Sequence, residues 1–304
     1  MPPAAADFPL PSETLSLVHT VAEVREAVHA ARLRGEKVGV VPTMGALHSG
    51  HLSLATSARE ECGFVIVTIF VNPSQFGPGE DFEKYPRMLE RDLAACRRVG
   101  VDLVFVPSAA EIYPDGFRTQ VEVTGISNVL EGACRPGHFS GVTTIVLKLL
   151  NIVQADSAWF GRKDYQQQVL IRRMCLDLNV PTVIRTCPTV READGLALSS
   201  RNAYLDGEQR ESALALSRAL KLARDMLVRG ETSVERVRQA MRELLEATPR
   251  VVVDYVTVAH PETLEELEEP LPEMVALVAA RVDSTRLIDN LPVRLPSAPG
   301  DRSS

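Results

Sequence analysis

The stretch Pro42-Thr43-Met44-Gly45-Ala46-Leu47-His48-Ser49-Gly50-His51 constrains this chain more than any other. It follows an apolar β-type run, Lys37 to Val41, and precedes a helical pattern from Leu52 to Glu61. A strand, a glycine-bearing turn and a helix start in immediate succession make a phosphate site. The first N–H groups of a helix have no internal partner, and its dipole favours negative charge there. Gly45 and Gly50 let a ligand approach the backbone or the chain take φ > 0. His48 and His51 are three apart, so on a first helical turn they share a face. The pattern is neither a Walker-type P-loop nor a GxGxxG dinucleotide turn. As half of a zinc site the pair would need further ligands, and no cysteine or acidic cluster lies nearby.

Around this turn, β-type and helical patterns alternate. Leu15 to Val18 reads as a short strand, and Thr20 with Glu23 makes a capping box for a helix that Gly35 closes. Phe64 to Val71 reads as a buried strand, Arg87 to Val99 as a helix and Val101 to Val106 as a strand. Val142 to Val153 is a strongly apolar helix; Ala158 to Gly161, Tyr165 to Leu178 and Thr182 to Thr186 continue the alternation. The connection Asn72 to Pro86 is long and rich in turn residues, which in a compact domain points to function, and Ser108 to Gly141 is irregular. This spacing predicts an α/β fold, a doubly wound parallel sheet with helices on both faces. Ligands bind such sheets outside the carboxyl ends of the strands. His48, His51, Asn72, Gln75, Lys163, Asp164 and the loop after Thr186 all follow strands and can converge there.

The pattern changes near Pro188, which divides the chain into domains 1–188 and 189–304. Two helices, Gly207 to Val228 and Val234 to Ala247, the latter with a Thr232/Glu235 capping box, precede β-type runs at Val251–Val258, Met274–Val282 and Thr285–Leu291. This order predicts a smaller α+β domain with an antiparallel sheet. The Pro- and Ala-rich residues 1–14 and the tail from Pro296 read as mobile.

A net charge of −7 argues against nucleic acid as a partner. The five cysteines are scattered with no CxxC pair, the N-terminus lacks a signal-peptide pattern, and no apolar run is long enough for a bilayer. A cytoplasmic protein with no membrane partner is the expectation.

Two further signals carry chemistry. In Phe160-Gly161-Arg162-Lys163-Asp164-Tyr165-Gln166-Gln167-Gln168, the lysine at a strand end neutralises phosphate charge and Gln167 can bond a hydroxyl or carboxylate; Gln166 and Gln168 point elsewhere on the helix. In Leu198-Ser199-Ser200-Arg201, two hydroxyls and a permanent cation suit a triphosphate.

PTMGALHSGH, FVNPSQF, YPR, RPGHFSGV, FGRKDYQQ and TVREADGLALSSRN, in this order and spacing, closely resemble the pantoate–β-alanine ligase (pantothenate synthetase) family of HxGH nucleotidyltransferases. The resemblance covers about residues 15 to 295. It implies a Rossmann-like N-terminal domain, a C-terminal lid, a homodimer, and condensation of pantoate with β-alanine through a pantoyl adenylate made from ATP. It assigns Met44 to His51 to ATP, with His51 the proton donor and His48, Lys163 and Ser199 to Arg201 on the phosphates. Gly161, Arg162, Asp164, Val190 and Leu198 belong to the same nucleotide site. Gln75 and Gln167 match pantoate-binding glutamines, with Asn72, Tyr85, Arg135 and His138 as further substrate candidates. Asp92 matches an acid near the Mg²⁺ that accompanies ATP. Arg162 stands where the family often has Glu, and Leu198 where Met is common. The HxGH turn alone would also permit a nucleotidyltransferase with a stable nucleotide product, or a silent nucleotide-binding module. The two glutamines and the SSRN loop disfavour the first, and the intact His48, His51, Lys163 and Arg201 the second.

Overall fold

Thr20 caps the first helix as its spacing from Glu23 predicts: its hydroxyl accepts from the Glu23 N–H, and the Glu23 carboxylate accepts from the Thr20 N–H at 2.8 Å. The computed structural model describes residues 15–296. The segments 1–14 and 297–304, where the mobile ends were expected, lie outside the described residues apart from Pro296.

In chain order the strands and helices are β1 (Ser16–Val18), α1 (Val21–Leu33), β2 (Val38–Thr43), α2 (Ser49–Glu61), β3 (Phe64–Ile69), α3 (Leu89–Arg98), β4 (Leu103–Phe105) and α4 (Ala109–Ile112). Then follow α5 (Glu131–Cys134), α6 (His138–Val153), β5 (Ser157–Gly161), α7 (Tyr165–Asp177), β6 (Val183–Cys187), α8 (Gly207–Val228), α9 (Val234–Glu246), β7 (Val251–Ala259), β8 (Glu273–Val282) and β9 (Thr285–Arg294). Single 3₁₀ turns occur at Pro73–Gln75, Ile126–Asn128 and Ser200–Tyr204. Two starts differ from the sequence reading by three or more residues. α2 begins three residues earlier, because His48 itself caps it, and α6 begins at His138, with Gly137 turning the chain at φ 81°. The cap of α9 is Ser233, whose hydroxyl accepts from Arg236 N–H, and not Thr232; adjacent hydroxyl residues offer the same chemistry one register apart.

Two compact units form. The first holds the described residues up to Glu122, Gly137–Gly161 and Ile171–Cys187; the second holds Val123–Pro136, Arg162–Leu170 and the described residues from Pro188 on. Two stretches that precede residue 188, Val123–Pro136 and Arg162–Leu170, pack with the second unit.

The first unit is built on a six-stranded parallel sheet of order β1-β4-β3-β2-β5-β6. Order reverses at β2, which pairs with β3 on one side and β5 on the other, so the switch point lies at β2 and β5. Such a point opens a crevice at the strands' carboxyl ends. One sheet face buries Val41, Val65, Val67, Val104 and Trp159 against Leu54, Ala55 and Ala58 of α2 and Leu93 and Cys96 of α3. α1 and α6 pack on each other and on β2.

The second unit carries the antiparallel sheet β7-β8-β9, whose inner residues Val256, Val258, Ala276, Val278 and Ala280 bury against Leu216, Leu220 and Leu227 of α8 and Val237 and Met241 of α9. Pro292 interrupts no ladder on its outer side because β9 is an edge strand. Among the described residues no helix is long and apolar enough to cross a membrane.

Candidate active site

In the first unit, the turn after β2 is fixed by backbone geometry and one buried acid. Gly45 and Ala46 both sit at positive φ, 82° and 50°. For alanine this left-handed conformation costs about 1–2 kcal/mol. Asp92 of α3 offsets it: Oδ2 accepts from the Ala46 N–H at 2.9 Å and Oδ1 from the Leu47 N–H at 2.8 Å. The Asp92 side chain is only 1% exposed. Burial pushes its carboxyl above the usual range, and the two N–H bonds pull it back only in part. Asp92 thus lies beneath the loop, with one oxygen on each of two consecutive backbone N–H groups.

His48 and His51 then cap α2 for each other. The Gly50 N–H donates to His48 Nδ1 at 3.2 Å, and the His48 N–H donates to His51 Nδ1 at 3.4 Å. The rings stack with centroids 4.1 Å apart. An Nδ1 that accepts from a backbone N–H leaves Nε2 as the protonated nitrogen, so both imidazoles are held as Nε2–H donors. Ser49 and Gly50 supply the first turn.

Asn72, Gln75, Tyr85 and His138 are also in this unit. Gln75 Nε2 donates to Met44 Sδ at 3.1 Å, and its Oε1 accepts from Asn72 Nδ2 at 3.1 Å. His138 Nδ1 bonds the Gln75 carbonyl at 2.8 Å, which requires Nδ1–H, the opposite tautomer from His48 and His51. Asn72 is 1% exposed and its amide is spent on protein: Nδ2 also donates to Gly141 O, and Oδ1 accepts from Tyr113 OH at 2.8 Å and Ser74 Oγ at 2.9 Å. It scaffolds the Pro73–Gln75 turn. Gly141 is required by the same packing: a Cβ there would lie 2.3 Å from Ser74 O and 2.7 Å from Gln75 Cα. Tyr85 is buried edge-on against Phe76. Gly161 ends β5.

The remaining candidates belong to the second unit. Arg162, Lys163, Asp164 and Gln167 are half-buried around the start of α7, and Lys163 Nζ lies 3.8 Å from Asp164 Oδ1. Asn290 of β9 donates through Nδ2 to the carbonyls of Arg162 at 2.9 Å and Lys163 at 2.8 Å. Residues 189–198 form a hairpin: the Leu198 N–H donates to Val190 O, the Glu192 N–H to Leu196 O, and Gly195 turns at φ 96°. Ser199 follows, and its Oγ accepts from the Arg201 N–H at 3.2 Å, capping the Ser200–Tyr204 turn. Arg135 follows α5, whose first residue, Glu131, is held by Gln166 and Arg286. Gln166 Oε1 accepts from the Glu131 N–H, its Nε2 donates to the carbonyls of Ile126 and Val129, and Arg286 pairs with both Glu131 carboxylate oxygens.

Sequence reading missed Gln166, Arg286, Asp289 and Asn290 as supports of these segments. Gln166 is the neighbour of Gln167 that the helical period turns away, and that direction is inward. The other three lie in a β-type run where nothing local marks a polar residue as facing in. Among the described residues no group of three or more His, Cys, Asp or Glu could hold a metal ion.

The sequence profile of pantoate–β-alanine ligases matches residues 16–292. A pantothenate synthetase of Moorella thermoacetica is 55% identical over 277 residues, 91% of this chain and 98% of that protein. The crystal structure of a Thermus thermophilus pantothenate synthetase superposes with a TM-score of 0.86 at 49% identity, covering 91% of this chain and 98% of that one. A pantoate–β-alanine ligase from Francisella tularensis, complexed with β-γ ATP and β-alanine, is similar at 34% identity and TM-score 0.74, over 91% and 97% of the two chains.

Proposed function

The chain belongs to the pantoate–β-alanine ligase family, and from that premise we propose that it makes pantothenate through a pantoyl adenylate. As a ligase of this family it condenses pantoate with β-alanine at the expense of ATP. In the proposed route a pantoate carboxylate oxygen attacks the α-phosphorus and pyrophosphate leaves. The β-alanine amine then attacks the acyl carbon, and AMP leaves. A carboxylate is ionised at neutral pH, so the first step needs no base; it needs alignment and donors for developing phosphate charge.

The observation that carries this reading is the reciprocal capping of α2 by His48 and His51, which holds two Nε2–H donors at a helix start on a strand's carboxyl end. In this reading Met44 to His51, Lys163 and Ser199 to Arg201 hold the triphosphate, with His51 the donor to the departing phosphate. Gly161, Arg162, Asp164, Val190 and Leu198 line the nucleoside, and Gln75, Gln167, Arg135 and His138 serve the other substrates. Asn72 and Tyr85 act behind them, as packing. Mg²⁺ enters with ATP on phosphate oxygens and water. Asp92, which matches a family acid near that ion, would act from beneath the loop whose Ala46 and Leu47 N–H groups it holds. The family resemblance further supports a cytoplasmic homodimer whose C-terminal domain is a lid; sedimentation at micromolar concentration tests the dimer.

The test is exchange of labelled pyrophosphate into ATP with pantoate present and β-alanine absent. Exchange that depends on pantoate is the expected result, and His51→Ala should lower its rate by about 10²-fold or more. No exchange with ATP bound would refute the adenylate, and a near-normal rate in the variant would refute the role of His51.

A further inference from the structure

The reading above gives Lys163 and the Ser199–Arg201 segment to the ATP phosphates but leaves open what holds them in register. They are 36 residues apart, and each sits on a connection with little regular structure of its own. Both are tied to adjacent residues of β9.

Asn290 is 2% exposed, and its Nδ2 reaches both carbonyls at the strand-to-helix junction, those of Arg162 and Lys163. Its Oδ1 is buried without a hydrogen-bond partner. The amide is therefore oriented by the two carbonyls alone. A stranded buried acceptor is destabilising, so this residue is not there for stability alone.

Asp289, 4% exposed, grips the other segment through Arg191 at the base of the hairpin. Its Oδ2 lies 2.6 Å from Arg191 Nη1 and its Oδ1 2.9 Å from Nη2. The same guanidinium donates to Gly195 O at the hairpin tip at 3.1 Å and to Asn290 O at 3.2 Å. Both terminal nitrogens of the fork donate twice, and the hairpin that delivers Ser199 cannot shift relative to β9 without breaking a charge-assisted bidentate pair.

We propose that Asp289 and Asn290 are positioning residues for ATP: one dipeptide of β9 sets the place of Lys163 through the 162–163 carbonyls and that of Ser199–Arg201 through Arg191. This rests on the assignment of those two segments to ATP. Neither β9 residue is required to touch the nucleotide. A misplacement of about 1 Å at a positioning group is enough to cost on the order of 10²-fold in rate.

The experiment is pantoate-dependent pyrophosphate–ATP exchange on full-length Asn290→Ala, Asp289→Asn, Lys163→Ala and the Lys163→Ala/Asn290→Ala double variant, with melting curves for each. Asn290→Ala and Asp289→Asn should raise the KM for ATP by about 10-fold while the KM for β-alanine in the full reaction stays within about 2-fold. In the Lys163→Ala background, Asn290→Ala should add less than about 2-fold, because its effect runs through Lys163. Unchanged ATP KM in both β9 variants overturns the proposal if Lys163→Ala is impaired. So does a parallel loss for all substrates with a lowered melting temperature, or a full effect in the double variant. If Asn290→Ala does not fold, Asp289→Asn carries the same test, since it keeps the shape of the side chain and removes only its charge. Should Lys163→Ala leave the ATP KM unchanged, the ATP assignment itself fails and this proposal falls with it.

Discussion

Replacing Arg286 by methionine should unfold this enzyme far more readily than an exposed arginine would. Arg286 donates Nη1 to Glu131 Oε2 at 2.6 Å, Nη2 to Glu131 Oε1 at 2.8 Å and Nε to Asp254 Oδ2 at 2.6 Å. The Arg286, Glu131 and Asp254 side chains are 17%, 9% and 18% exposed. Burial alone would lower the guanidinium's pKa, but the two carboxylates override it and push it up, so the cation persists at any working pH. Methionine keeps much of the volume and strands Glu131 as a buried anion. Removing one partner of a buried pair costs about 3–5 kcal/mol, most of it the penalty on the charge left behind. The Tyr255 phenol, buried and beside Glu131, is pushed well above its ordinary range and stays protonated, so it donates to Glu131 but cannot neutralise it. Adding Glu131→Gln removes the stranded charge and should recover about half the loss. Urea titration monitored by circular dichroism measures both variants. Arg286→Met within about 1 kcal/mol of the parent, or strict additivity in the double variant, would refute the reasoning.

Asp92→Ala removes the acceptors for the Ala46 and Leu47 N–H groups and should raise the KM for ATP about 10-fold with an unchanged Mg²⁺ requirement; a shift in Mg²⁺ dependence alone would return this acid to the metal. Gly141→Ala forces backbone atoms of Ser74 and Gln75 aside, costing about 1–3 kcal/mol and raising the KM for pantoate, and unchanged pantoate kinetics would show that Gln75 does not depend on this contact. Burial pushes the Cys96 thiol up to about 12 and Cys175 up to about 11, so iodoacetamide at pH 8 should label exposed Cys134 first; mass spectrometry showing Cys96 or Cys175 modified earlier would contradict their burial.

What the sequence disclosed and what it hid divide along a physical line. Thr20/Glu23, the alternating strand and helix periods and the glycine-histidine turn are local signals, each decided by residues within a few positions, and each appears in the structure where its spacing puts it. Fine boundaries were less legible. Nothing local distinguishes Thr232 from Ser233 as a cap, and His48 is not among the usual capping residues, so the start of α2 was placed too late. The partition of the chain was hidden for a different reason. Val123–Pro136 and Arg162–Leu170 join the second unit through Arg286–Glu131, Gln166 and Asn290, pairs separated by 35 to 155 residues. Long-range polar pairing has no periodicity to read. Asn72 is held the same way at a single residue: its side chain bonds Gln75, Gly141, Ser74 and Tyr113, partners that no local pattern announces.

The proposed chemistry also explains why the turn holds its two histidines as hydrogen-bond donors. Adenylation by an already ionised carboxylate consumes no proton at the nucleophile, so the turn must supply hydrogen-bond donors, not a base. Backbone N–H groups seated on Nδ1 of His48 and His51 impose the Nε2–H form on both rings. A carbonyl seated on Nδ1 of His138 imposes the reverse, an Nδ1–H beside Gln75. Within one unit the chain thus sets two opposite ring forms, Nε2–H on the helix-capping pair and Nδ1–H beside Gln75. It does so with three identical side chains and the polarity of the backbone each one meets.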